Sequence, residues 1–326
     1  MVTTSTGLRD LYRSMVLIRE AEETLLRLFS QNRMPGFIHS YIGEEATAVG
    51  VCAALRLDDY LTSTHRGHGH ILAKGGDLSR FFAELYGKAT GYCKGKGGSM
   101  HVADLDLGIL GANGVVGGGI AIAAGAALSA QLRGTDQVAV SFMGDGATDI
   151  GAFHESLNLA AIWDLPVLFV VENNGYADFI AQRDHQRIEQ ISRRADAYGM
   201  EGATVDGNDV EAVHEAARVA VEQARGGGGP TLLECVTYRW RGHFEGDPQP
   251  YRSQDEVASW KLRDPLLVAE RRLRDRSELD DGARDAIRAA VCAEIEEAVA
   301  FAEAAPNPEP MSALEDVFTD VVEEAR

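Results

Sequence analysis

The stretch VAVSFMGDGATDIGAFHESLNLAAIWDLPVLFVVENN, residues 138–174, decides the fold. Val138–Met143 is a short apolar run closed by the turn Gly144-Asp145-Gly146. Ile150–Trp163 has helical character, and Pro166–Glu172 is a second apolar run that stops at Asn173-Asn174-Gly175. Strand, helix and strand in that order make a βαβ unit. Strands that are apolar throughout belong to a parallel sheet covered on both faces. A right-handed crossover returns the chain so that both strand ends lie on one sheet edge. Asp145 and Asn174 then converge with two oxygen donors, the ligand type that a hard cation such as Mg²⁺ shares with phosphates. The amides of Gly146 and Ala147, at the approach to the crossover helix, are placed to donate to the same phosphates. Either tripeptide alone reads as a tight turn; the pair, at two strand ends, is far more specific.

Upstream, Leu8, Leu11, Met15, Leu25 and Leu28 have near-helical spacing, and Gln31–Gly36 ends that helix. Residues 43–56 read as a helix of small residues. Residues 61–76, with four glycines and three histidines, read as loop. Glycine is dense from 87 to 119, a composition that lets backbone approach a ligand or form a mobile surface loop. Ile120–Leu132 reads as a buried alanine-rich helix.

Downstream, residues 209–225 read as a helix and Thr231–Tyr238 as a strand. Beyond about residue 254 the chain is helical and charged, with an apolar stripe at Ile287, Val291, Ile295, Val299 and Ala302. After Pro306–Pro310, Ser312 and Glu315 form a capping box ahead of Leu314, Val317, Phe318, Val321 and Val322, which predicts a short amphipathic terminal helix. The expected organisation is an α/β, doubly wound parallel sheet with helical N- and C-terminal segments: an α/β domain over 1–253 and a helical arm over 254–326.

The 326 residues are 45% hydrophobic and 25% charged, with 31 basic and 50 acidic side chains and a net charge of −19. So acidic a chain disfavours nucleic-acid and anionic-membrane binding; an anionic ligand must be held by local cations, amides or a metal. Four scattered cysteines without a CxxC pair, no apolar signal core and no long apolar run predict a cytoplasmic protein.

Further motifs extend the pattern: Gly-Phe-Ile-His at 36–39, Gly-Glu-Glu-Ala at 43–46, His-Arg-Gly-His-Gly-His at 65–70, Gly-Lys-Gly-Gly-Ser-Met-His at 95–101, Gly-Ala-Asn-Gly-Val-Val-Gly at 111–117 and Thr-Tyr-Arg-Trp-Arg-Gly-His at 237–243. With the Gly-Asp-Gly and Asn-Asn turns, which resemble the thiamine diphosphate motif, this series resembles the α subunit of the E1 component of 2-oxo acid and acetoin dehydrogenase complexes. The resemblance implies thiamine diphosphate and Mg²⁺ as cofactors and a thiamine diphosphate-binding fold. The implied metal ligands are Asp145, Asn174 and the carbonyl of Tyr176. It implies diphosphate contacts from Arg66 and His243, with His65 where some members have tyrosine, and aminopyrimidine contacts from the backbones of Gly114 and Val116. His39 and His68 match histidines near the reacting end, and His39, His68 and His243 are the implied catalytic histidines.

The carboxylic acid that activates the cofactor belongs, by the same resemblance, to a companion β subunit. Glu44, Glu45 and Glu155 of this chain read as structural instead. The implied assembly is an α₂β₂ heterotetramer that passes an acyl unit to the lipoyl group of an E2 acyltransferase. His-Phe-Glu-Gly-Asp-Pro at 243–248 is similar to acetoin dehydrogenase α chains, which favours acetoin over a 2-oxo acid such as pyruvate. Phe244 replaces the serine that is phosphorylated in mitochondrial pyruvate enzymes.

Other readings are a zinc site at His65, His68 and His70, a nicotinamide enzyme, a transketolase-like enzyme and an inactive partner subunit. Arg66 among the histidines suits phosphate better than zinc. No G-x-G-x-x-G follows a strand with an acidic residue some twenty positions on. A transketolase needs a second cofactor-binding domain, and an inactive partner is expected to lose Asp145 or Asn174.

Overall fold

The computed structural model describes residues 7–317. Its centre is an all-parallel six-stranded sheet in the order β2-β1-β3-β4-β8-β7. The strands are β1 (Tyr60–Thr62), β2 (Ile109–Gly111), β3 (Ala139–Gly144), β4 (Val167–Asn173), β7 (Glu201–Asp206) and β8 (Thr231–Val236); β5 (Tyr176–Ala177) and β6 (Ile180–Ala181) form a separate antiparallel ribbon. The register of β3 on β4 runs from Ala139 opposite Val167 to Gly144 opposite Glu172, so the two strands finish together.

Alternation along the central strands feeds two cores. Val140, Phe142, Leu168, Val170 and Leu233 pack on one side of the sheet, Ala139, Met143, Phe169, Val171 and Leu232 on the other. The first face meets α1 (Leu8–Ser30), α2 (Glu45–Ala53), α3 (His68–Ala73) and α4 (Leu78–Leu85); the second meets α5 (Gly118–Arg133) and α6 (Gly151–Ile162). After the short α7 (Gln182–His185), α8 (Val210–Arg225) returns to the first face against α2. Small residues permit that approach: a Cβ on Gly50 would stand 2.7 Å from the Val213 side chain.

The C-terminal helices α9 (Gln254–Lys261), α10 (Pro265–Asp275) and α11 (Asp281–Ala304) fold back on the body. Val291, Ile295 and Ala302 of the predicted stripe are buried, with Ile287 and Val299 packed at their edge, and α11 lies on α1 and α4. At about 1.5–3 kcal/mol for each large aliphatic removed from water, this stripe anchors the arm to the core of its own chain. Arg19 on α1 adds a buried clamp, bonding Glu45 at 2.5 Å and Asp264 at 3.1 Å.

Three expectations change. The region read as loop, 61–76, contains β1 and α3, because a three-residue strand in the middle of a sheet needs no long apolar run of its own. The edge strands β2 and β7 were also outside the sequence reading; β7 is largely exposed and polar. At the C-terminus, Pro310–Leu314 forms a single 3₁₀ turn, and the Ser312 hydroxyl donates to the Glu309 carbonyl instead of capping a helix. Leu314 and Val317 are exposed, and Phe318, Val321 and Val322 lie outside the described residues. No helix among the described residues is long and apolar enough to cross a membrane.

Candidate active site

A cavity of about 470 Å³ opens at the carboxyl edge of β3 and β4. This is where ligands enter open parallel sheets, because strand-end loops diverge there. Asp145 and Asn174 both line it, together with Gly146, Ala147 and Tyr176. Asp145 begins a 3₁₀ turn directly after β3, and its carbonyl accepts from the Thr148 hydroxyl at 2.7 Å and from Gln186 at 2.9 Å. Those bonds hold the main chain, while the side-chain Oδ2 is buried without any hydrogen-bond partner. His185 Nε2 stands 3.4 Å from that oxygen, an ion-pair distance without hydrogen-bond geometry, and the Asp145 carboxylate, with Asp149, holds the imidazole above its usual value. An orphaned buried carboxylate oxygen is costly unless a ligand completes it.

Asn174 turns its Nδ2 toward the Glu44 carboxylate, 3.4 Å from each oxygen, and its Oδ1 accepts from the Tyr176 amide at 3.3 Å. The carboxamide is therefore oriented, with oxygen and nitrogen on known sides. A Cβ on Gly146 would stand 2.6 Å from that of Ala177, so only glycine lets the turn pack against the β5–β6 ribbon. Asp145, the Asn174 oxygen and the Tyr176 carbonyl are hard oxygen donors, a set whose chemistry fits Mg²⁺.

On the facing wall, His39, His65 and His243 place one nitrogen each within 4.8 Å of one another. Burial, reinforced by the Arg66 charge, pushes His39 down to about 3, His65 to about 2 and His243 to about 4, so all three imidazoles are neutral near pH 7. Arg66 itself is buried, donates to the carbonyls of Ser40 (2.6 Å) and His243 (3.0 Å), and lies 3.7 Å from Glu44. Gly114 and Val116 line the same cavity, and the mouth carries exposed Val115, Val116 and Phe37.

Two sequence readings need correction. His65, His68 and His70 do not converge, which removes the zinc site suggested by their proximity in the chain. His68 also lies outside the cavity lining, fully buried between Glu22 and the Ser99 hydroxyl, both at 2.8 Å, so it acts on the site only through neighbours. His70 bonds Ser63 and Glu172 and stacks on Phe142. The cause is α3: its turn carries both rings inward to the core and leaves only His65, ahead of the helix, at the cavity.

The second correction concerns Glu44. It is fully buried at the cavity wall, where burial and then neighbouring Glu172 push its carboxyl up to about 8. Glu45, by contrast, is held by Arg19, and Glu155 is exposed on α6. Glu44, structural by the sequence reading, lines the cavity together with Glu172 and Arg239, which that reading does not single out. The first two sit at the start of a helix and the end of a strand, positions at which an acidic side chain ordinarily meets solvent.

A family model for the dehydrogenase E1 component matches residues 13–311. The chain belongs to the dehydrogenase E1 component family. It is 52% identical over 309 residues, 94% of this chain and 92% of the relative, to the α subunit of an acetoin:2,6-dichlorophenolindophenol oxidoreductase from Bacillus subtilis (strain 168). It is 47% identical to the protein of the same description from Cupriavidus necator, covering 95% and 94% of the two chains. Subunit α-3 of a chloroplastic pyruvate dehydrogenase E1 component from Arabidopsis thaliana is 40% identical over 98% of this chain and 76% of the relative. The E1 chain is thus an α-type component of a thiamine diphosphate-dependent oxidoreductase, and membership implies that cofactor, a β-subunit partner and an E2 component.

Proposed function

We propose that this E1 α chain acts on acetoin, with thiamine diphosphate and Mg²⁺ at the cavity where β3 and β4 end. The observation that carries the metal assignment is the orphaned, buried Oδ2 of Asp145 beside the oriented carboxamide of Asn174. Asp145, Asn174 and the Tyr176 carbonyl would hold the ion, and the Gly146 and Ala147 amides would donate to the diphosphate. Arg66, His65 and His243 would contact the diphosphate from the facing wall, and Gly114 and Val116 would present backbone to the aminopyrimidine. Acetoin is supported by the acetoin-associated relatives at 52% and 47% identity against 40% for the chloroplastic pyruvate one.

When bound, thiamine diphosphate supplies a nucleophilic carbon and an electron sink for C–C cleavage. The chain's own residues bind, orient and handle protons. His39 and His243, neutral at the working pH, would orient groups at the reacting end by hydrogen bonding. Glu44, pushed up to about 8, keeps Asn174 turned so that its oxygen stays available to the ion. His68 would contribute through Ser99, whose neighbour Met100 lines the cavity.

The acid that activates the cofactor would come from the β subunit. The exposed apolar mouth, with Val115 and Phe37, fits closure by that partner, in an α₂β₂ assembly serving a lipoyl-bearing E2. The test is co-expression with a β subunit of the same family, then oxidation of acetoin, pyruvate and branched-chain 2-oxo acids with an artificial electron acceptor. Acetoin is expected to give the highest kcat/KM, and the α chain alone no turnover. A preference for pyruvate, or turnover by the isolated chain, overturns the corresponding part.

A further inference from the structure

Helix α1 faces the core with Ile18, Leu25 and Leu26, and among them stands one carboxylate, Glu22, 1% exposed. A charge there costs stability that an apolar residue would not, so its place calls for a partner. Glu22 Oε1 lies 2.8 Å from His68 Nδ1, and His68 Nε2 lies 2.8 Å from the Ser99 hydroxyl. All three side chains are buried. A carboxylate only accepts, so this bond keeps the proton on Nδ1, and Nε2 presents the lone pair to which Ser99 donates. We infer that Glu22 is a positioning residue for the thiamine end of the cofactor, acting through His68 and Ser99 on the wall at Met100 and Gly114. This rests on the cofactor reading of the cavity.

The path from α1 to the cavity is continuous. Ser99 is the middle residue of the 3₁₀ turn Gly98–Met100, and Met100 lines the cavity. The next ring, His101, backs Gly114: a Cβ there would stand 3.1 Å from its Nε2. One residue further, the Val102 carbonyl accepts from the Ala112 amide at 2.8 Å, which joins this segment to the one leading to Gly114. Gly114 is the backbone proposed to meet the aminopyrimidine. Upstream, the amides of Gly97 and Gly98 donate to Glu84 at 2.7 and 3.0 Å and hold the loop to that point. Beyond it, the Ser99 side chain ties the wall to the core.

The diphosphate end is built from other elements. Asp145 and Asn174 follow β3 and β4, and Arg66 is fixed by the carbonyls of Ser40 and His243. The Glu22 charge also acts on Arg66, two residues before His68. Ser99→Ala changes no charge and removes one oxygen, so it separates the wall from the arginine.

The test is calorimetry on the assembly with its β subunit, with thiamine diphosphate and inorganic diphosphate each titrated in excess MgCl₂. Thiamine diphosphate reads both ends of the site and inorganic diphosphate only one. Ser99→Ala is expected to raise the thiamine diphosphate Kd about fivefold, the weight of one hydrogen bond, and to leave the inorganic diphosphate Kd unchanged. Glu22→Leu is expected to raise the thiamine diphosphate Kd at least as much, and Glu22→Gln, which keeps an accepting oxygen, by less. Ser99→Ala added to Glu22→Leu is expected to cost nothing further, because both act along one path. Equal shifts for the two ligands in Ser99→Ala, no shift for thiamine diphosphate, or additive effects in the double variant overturn the inference and leave the cofactor reading standing. Should Glu22→Leu fail to fold, Ser99→Ala decides alone. A native assembly that binds neither ligand overturns the cofactor reading itself, and the inference with it.

Discussion

Two glycine-rich segments of this chain look alike in sequence and do opposite work. Cys93–Gly98 folds around Glu84, a fully buried carboxylate on α4 that accepts four backbone amides: Cys93 and Gly97 at 2.7 Å, Gly95 and Gly98 at 3.0 Å. Its amides are consumed inside the protein. Gly144–Ala147 does the opposite: its turn places Asp145 at the cavity with an oxygen that accepts no hydrogen bond. Glycine density therefore marks where backbone must approach an anion closely, and it does not say whether that anion is a side chain or a ligand. Of the glycine-dense segment 87–119, whose composition permits ligand approach or a surface loop, Met100, Asn113–Gly117 and Gly119 line the cavity.

Breaking the internal nest has the largest expected effect. Glu84→Ala strands four amides in a buried site and is expected to cost about 3–5 kcal/mol of stability, measured by denaturant unfolding. Glu84→Gln keeps one accepting oxygen and is expected to fall between it and the native chain. An unchanged midpoint for Glu84→Ala would mean the nest is dispensable. Asp145→Ala is the mirror case. Thiamine diphosphate binding in the presence of Mg²⁺ is expected to weaken by about 100-fold or more in calorimetry, with thermal stability of the ligand-free chain unchanged. Loss of folding in that variant would erase the distinction between the two segments.

Glycine-to-alanine changes sharpen the same contrast. Gly146→Ala drives a Cβ into Ala177 and is expected to cost about 1–3 kcal/mol, read as a raised cofactor Kd together with a lowered Tm. Gly98→Ala meets nothing within 4 Å, and only its φ of +58° is unfavourable to a side chain. Its expected cost is the smallest, about 1 kcal/mol in unfolding, with cofactor affinity unchanged. A larger effect of Gly98→Ala on affinity than on stability would place the nest in the site after all.

What could be read in advance follows from the range of the interactions involved. The unit β3-α6-β4 was legible because periodicity and strand-end turns are local, and handedness of the crossover does the rest. The short strands β1 and β2 were not, since three residues leave no periodic signal and are selected by the strands beside them. The histidines show the same limit: proximity along the chain grouped His65, His68 and His70. A helix rise and turn sent the last two into the core, and the loops carrying His39 and His243 replaced them at the cavity.

By itself, the order of residues determined the parallel sheet, the family and the placing of Asp145 and Asn174 at neighbouring strand ends, because each depends on side-chain pattern and the fixed chirality of the chain. Tertiary structure alone decided that Glu44 faces the cavity and His68 does not, and that one glycine loop closes on Glu84 while another leaves a carboxylate oxygen that accepts no hydrogen bond. Those outcomes depend on which distant groups compete for a buried hydrogen bond, and that competition is settled only when the elements pack.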